Sequence, residues 1–149
     1  MNRKKALAIG ATAAAIGVAG LGGYRASRRR ADRGPAPAPP ADALFDLPPD
    51  VTRRTVATPD GGELHVIERG EGRPLVLLHG ITLRADVWAP QFHQLAGRYR
   101  VIAPDLRGHG RSTAGSDGFG LLRLATDVAT LLDALDLHEV VLVGHSMAA

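Results

Sequence analysis

No cysteine occurs in the 149-residue chain. Its absence excludes a disulfide framework, a thiolate metal site, a cysteine nucleophile and lipoprotein-type acylation, and leaves the redox compartment open. Phosphate-loop signatures are missing as well. The segment GHGRS at 108–112 lacks the GxxxxGK[ST] spacing, and Thr113 stands where a GxGxxG loop needs its third glycine. Nothing has metal-ligand spacing and no internal repeat recurs, so neither a metal nor a cofactor is expected. Acidic residues are scarce only at the start, where residues 1–33 hold eight Lys or Arg against the single Asp32. Residues 34–149 reverse the sign, with ten basic against fourteen acidic side chains. The basic character therefore belongs to the amino terminus, and no nucleic-acid partner is expected.

The amino terminus reads as a charged start, an uncharged stretch from Ala6 to Gly23, and a second basic cluster. Those 18 residues are just long enough to cross a bilayer as a helix at about 1.5 Å per residue, and twelve of them are Ala or Gly. Residues 1–33 are accordingly expected to be a membrane anchor or signal segment, with the membrane as partner through residues 6–23. An uncleaved anchor is favoured over a cleaved signal peptide, and hence membrane association over secretion. The YRASRRR flank lacks the small-residue cleavage site in a polar setting that a signal peptide needs. Paired arginines are absent from the start, which disfavours twin-arginine export. Arg25, Arg28, Arg29, Arg30 and Arg33 outnumber Arg3, Lys4 and Lys5, so the positive-inside rule tilts the main domain toward the cytoplasm. Residues 34–50 carry six of the ten prolines and read as an extended linker.

From residue 51 the pattern becomes brief apolar runs between turn signals. VTRRTVATPDGGELHVIERG predicts two strands joined at Pro59-Asp60-Gly61-Gly62. LVLLHG at 75–80, RVIAPD at 100–105 and VVLVGHS at 140–146 are strands expected to be parallel and covered by helices on both faces, because they are apolar without alternation. A helix is expected to start at Ala89-Pro90, with Phe92, Leu95 and Ala96 on one face. A second, over 119–136, places Leu121, Leu124, Ala125, Val128, Leu131, Leu132 and Leu135 on an apolar stripe, with Asp127 and Asp133 off it. The expected class is α/β, with a mostly parallel sheet whose first strands are antiparallel.

Three strand ends, HGITLRADVW, DLRGHGRS and GHSMAA, fall where open α/β sheets collect ligands. In this order they resemble the amino-terminal half of an α/β-hydrolase fold enzyme, ending just after the nucleophile-elbow strand. The family pattern G-x-S-x-G is met by Gly144 and Ser146, but position 148 is Ala. The resemblance implies that Ser146 is the nucleophile, and that the backbone N–H groups of Ile81 and Met147 hold the oxyanion. It also implies that the triad acid and base follow the serine, so His79 is expected to organise its loop and His145 to line the pocket wall. The DLRGHGRS segment is expected to shape a loop near the site, with Asp105 able to pair with a buried arginine. His65, His93 and His138 are expected on solvated faces.

Together these features predict a membrane-anchored serine hydrolase acting on a small-molecule carboxylic ester or related acyl compound, with acyl transfer and perhydrolysis open through the same acyl-enzyme. The alternative is a non-catalytic α/β-hydrolase-like binding module or truncated remnant. No acidic residue and no histidine follow Ser146 in the sequence, so the 149 residues by themselves are expected to be a fragment, neither stably folded nor active. Substrate identity and oligomeric state stay open.

Overall fold

The computed structural model describes residues 40, 41 and 43–149. The expected membrane segment and its basic flanks, residues 1–33, lie outside the described residues. Among the described residues no helix is long and apolar enough to cross a membrane.

Five strands form one mixed sheet: β1 (Thr52–Ala57), β2 (Glu63–Arg69), β3 (Arg73–Leu78), β4 (Tyr99–Pro104) and β5 (Val141–Gly144). Two α-helices accompany it, α1 (Ala89–Leu95) and α2 (Leu121–Ala134). β1 and β2 form the expected hairpin, with Ala57 opposite Glu63 and Gly61 in the left-handed conformation at its turn. The spatial order is β1-β2-β4-β3-β5. β2 pairs antiparallel with β4, while β3 runs parallel to both β4 and β5.

The unbroken apolar runs divide by alternate residues between two cores, as the pleat requires. Leu75, Leu77, Val101 and Ala103 join Phe92 of α1 on one face. Val76, Leu78 and Ile102 join Leu131 of α2 on the other. Each fully buried aliphatic or aromatic side chain of this kind contributes roughly 1.5–3 kcal/mol. Pro90 begins α1 because its missing N–H falls among the donors that have no intrahelical partner there. Within the preceding segment, Ala43–Phe45 forms one helical turn and Leu47 packs against the α1 core.

β5 ends the sheet order, and among the described residues its Leu142 and Val143 are 52% and 37% exposed. Beside it lies an apolar concavity of about 390 Å³ lined by Leu78, Leu106, Leu121, Leu124, Leu142 and Met147. Asp127, placed off the apolar stripe of α2, is 1% exposed. It is buried because both its carboxylate oxygens accept from Arg107, at 2.7 and 2.9 Å, and because Arg123 joins from one turn earlier.

Candidate active site

Parallel pairing of β3 with β5 sets Leu78 opposite Gly144, and the His145 N–H extends the ladder to the Leu78 carbonyl at 3.0 Å. The loops that leave these two strands, 79–84 and 145–148, therefore emerge side by side. His145 is extended, at φ −119° and ψ 128°, and the chain then turns sharply at Ser146 into a single 3-10 turn, Ser146–Ala148. Ser146 has φ +57° and is exposed. A serine in the left-handed region costs on the order of 1–3 kcal/mol, and such outliers collect where a side chain must be presented to a ligand.

Close approach explains the two glycines beside it. A Cβ at position 144 would lie 1.9 Å from the carbonyl oxygen of Ala148, so the strand and the returning turn touch through backbone alone. A Cβ at position 80 would lie 3.0 Å from both the Ser146 Cβ and the His145 Nδ1. Gly80 thus carries the first loop directly against the serine. The turns around the site close through Leu83 N–H to the Gly80 carbonyl and Ala148 N–H to the His145 carbonyl, each at 3.2 Å. Among the described residues, neither the Ile81 nor the Met147 N–H has a backbone acceptor. Ser146, Ile81 and Met147 therefore belong to two loops held against each other, and the Ile81 side chain is 60% exposed.

His79 is fully buried and hydrogen-bonded on both nitrogens. Its Nδ1–H donates to the Gly80 carbonyl at 2.7 Å, so its Nε2 accepts from the Leu106 N–H at 2.9 Å. Burial holds its pKa below the ordinary imidazole range, which keeps the ring neutral. His79 ties the loop after β3 to the loop after β4 and has no nitrogen left for a serine proton. The His145 ring instead meets Trp88 edge to face, with centroids 6.5 Å apart and planes at 90°.

The segment after β4 departs from expectation in one respect. Asp105 is buried but pairs with no arginine side chain; its Oδ1 accepts from the Ala85 N–H at 2.7 Å and its Oδ2 from the Arg111 N–H at 2.9 Å. It thereby fastens the loop that carries Gly80 and Ile81. The buried arginine is Arg107, 1% exposed, which bridges Asp127 of α2 and Asp60 of the hairpin turn. Gly108 and Gly110 adopt the positive φ expected of them, 71° and 53°. His65 is also corrected: it is half-buried, with Nδ1 3.3 Å from the Asp105 carboxylate, because β2 runs beside β4. His93 is half-buried and hydrogen-bonded to the Asp46 carbonyl, whereas His138 is exposed as expected.

Sequence pattern alone does not reveal the Arg107 bridge, although a signal for half of it exists. Asp127 stands three residues after Leu124 and four before Leu131, at the edge of the stripe rather than opposite it. Among the described residues no group of three or more His, Cys, Asp or Glu could hold a metal ion.

The alpha/beta hydrolase fold family matches residues 73–149. A non-heme chloroperoxidase of Kitasatospora aureofaciens is 45% identical over 91 residues, covering 60% of this chain and 33% of the relative. An (E)-2-((N-methylformamido)methylene)succinate hydrolase of Acinetobacter baylyi is 36% identical over 96 residues, covering 64% of this chain and 36% of that protein. Among solved structures, the haloalkane dehalogenase of Agrobacterium tumefaciens aligns with a TM-score of 0.64 at 32% identity, over 72% of this chain and 36% of that one. The chain spans about a third of the length of these relatives. With its mixed sheet, the tight turn after β5 and a match over more than half its residues, the chain belongs to the α/β-hydrolase fold family.

Proposed function

We propose that Ser146 is the nucleophile of a serine hydrolase acting on small-molecule carboxylic esters or related acyl compounds. The observation that carries this reading is the positive φ of Ser146 on a turn pressed against Gly80, with the neighbouring Ile81 and Met147 N–H groups lacking backbone acceptors among the described residues. In this reading Ser146 Oγ bonds to the acyl carbon, and the developing oxyanion is held by the Ile81 and Met147 N–H groups. The oxyanion collapses, the alkoxide leaves and takes a proton, and water then releases the acid and restores the hydroxyl.

Family membership alone does not choose this chemistry, since the matched structures include a haloalkane dehalogenase and an epoxide hydrolase. With Ser146 as the nucleophile, the residue type supports it. A serine hydroxyl attacking a haloalkane or epoxide carbon would leave an ether, which water does not cleave, whereas attack on a carbonyl leaves an ester that it does. A second reading, perhydrolysis, draws on the relatives named chloroperoxidases: hydrogen peroxide in place of water would release a peracid from the same acyl-enzyme.

No acid or histidine follows Ser146 in these 149 residues, so only the nucleophile and the oxyanion donors are assigned. Residues 6–23 would hold the domain at a membrane. The deciding experiment is labelling of the native gene product with a fluorophosphonate probe. Labelling should occur and be abolished by Ser146→Ala. Equal labelling of that variant would refute the assignment, and no labelling of the wild type would favour the non-catalytic binding module.

A further inference from the structure

We infer that His145 and Trp88 form a positioning pair that holds Ser146 against the oxyanion loop. The inference rests on Ser146 being the nucleophile and assigns roles to two side chains outside the acyl-transfer machinery.

Trp88 is the chain's single tryptophan and ends the 3-10 turn Ala85–Trp88, directly before α1. The first residue of that turn is fixed, because the Ala85 N–H donates to the buried Asp105 carboxylate at 2.7 Å. The indole packs against the α1 core, and its buried N–H has no hydrogen-bond partner. A buried donor without an acceptor is unfavourable, so the ring is placed by shape and contact, not by a polar bond. It also meets His145, perpendicular at 6.5 Å. Perpendicular aromatic pairs at this separation are attractive and directional.

The imidazole in turn reaches the oxyanion loop, its Nδ1 lying 3.0 Å from where a Cβ of residue 80 would stand. The ring, though exposed, therefore touches on one hand the loop that carries Ile81 and on the other the indole at the end of the same segment. The next residue is Ser146. The His145 ring meets Trp88, and among the described residues no hydrogen bond joins it to the serine hydroxyl. Its effect on the reaction is geometric: without the ring, the turn can shift relative to the Ile81 and Met147 donors, and a displacement near 1 Å costs on the order of a hundredfold in rate.

The test measures fluorophosphonate labelling of the native gene product, resolved into binding and the bond-forming rate constant, across pH and below the melting temperature of each variant. His145→Ala and Trp88→Leu should each slow bond formation about tenfold with binding unchanged, and the double variant should be no slower than either, as coupling through one contact requires. Trp88→Phe, which keeps a ring, should stay within about threefold of wild type. The pH profile should keep its shape in His145→Gln. Unchanged rates in folded His145→Ala and Trp88→Leu, or additive losses in the double variant, would overturn the pairing. Loss of an ionisation in His145→Gln would overturn it differently, by making His145 the base. If His145→Ala does not fold, Trp88→Leu against Trp88→Phe decides. Undiminished labelling of Ser146→Ala would remove the nucleophile on which the pair acts, a failure separate from the others.

Discussion

Replacing Gly144 by alanine tests the site through its tightest contact. The added Cβ would stand 1.9 Å from the Ala148 carbonyl oxygen and 2.5 Å from its carbon, against an ordinary van der Waals approach of 3.4 Å or more. Relief requires the Ser146–Ala148 turn to move away from β5 by about 1.5 Å, since the obstacle is backbone and has no alternative rotamer. The Leu78 carbonyl still holds the His145 N–H, so the displacement concentrates at Ser146 and Met147, the nucleophile and one oxyanion donor. A misplacement of about 1 Å at reacting groups costs roughly a hundredfold, and overpacking costs about 1–3 kcal/mol of stability. The expected result for Gly144→Ala in the native gene product is fluorophosphonate labelling slowed by about two orders of magnitude, with a protein that still melts cooperatively at a lower temperature. Ala148→Gly, which removes a methyl and keeps the backbone contact, should label like wild type. Labelling of Gly144→Ala within threefold of wild type would show that the strand-to-turn approach does not position Ser146.

Arg107→Met should destabilise the fold by about 3 kcal/mol, because it strips the guanidinium from two buried carboxylates while Arg123 continues to hold Asp127; a loss below 1 kcal/mol in urea unfolding would refute a structural role for the bridge. The hydrogen bonds of Arg107, and after them that of the Thr58 hydroxyl, hold the Asp60 carboxyl well below the usual aspartate range. A depressed folded pKa contributes stability that is complete above the ordinary aspartate range and is lost as pH falls below about 4. Asp60→Asn should therefore flatten the acid limb of the stability curve, and superimposable acid limbs would contradict this. Deleting residues 1–33 should move the protein from washed membranes to the soluble fraction; retention on the membrane would remove the anchor.

Local pattern determined the elements of this protein. Doubly apolar runs marked β3, β4 and β5, the Pro59–Gly62 turn marked the β1–β2 hairpin, Pro90 marked the start of α1, and Gly144-His145-Ser146 marked the turn that presents an exposed serine. These features depend on neighbouring residues and on the periods of helix and strand, so they can be read without a partner. Which elements touch was decided only by the tertiary structure. The order β1-β2-β4-β3-β5 sets β3 beside β5 and so brings Gly80 against Ser146, 66 positions away. The same folding buries Arg107 between Asp60 and Asp127, 47 and 20 residues distant, and gives Asp105 two backbone N–H partners in place of an arginine. Charged side chains read alike in sequence whether they are solvated or paired inside, because the energy that permits burial comes from a partner whose position only the fold supplies.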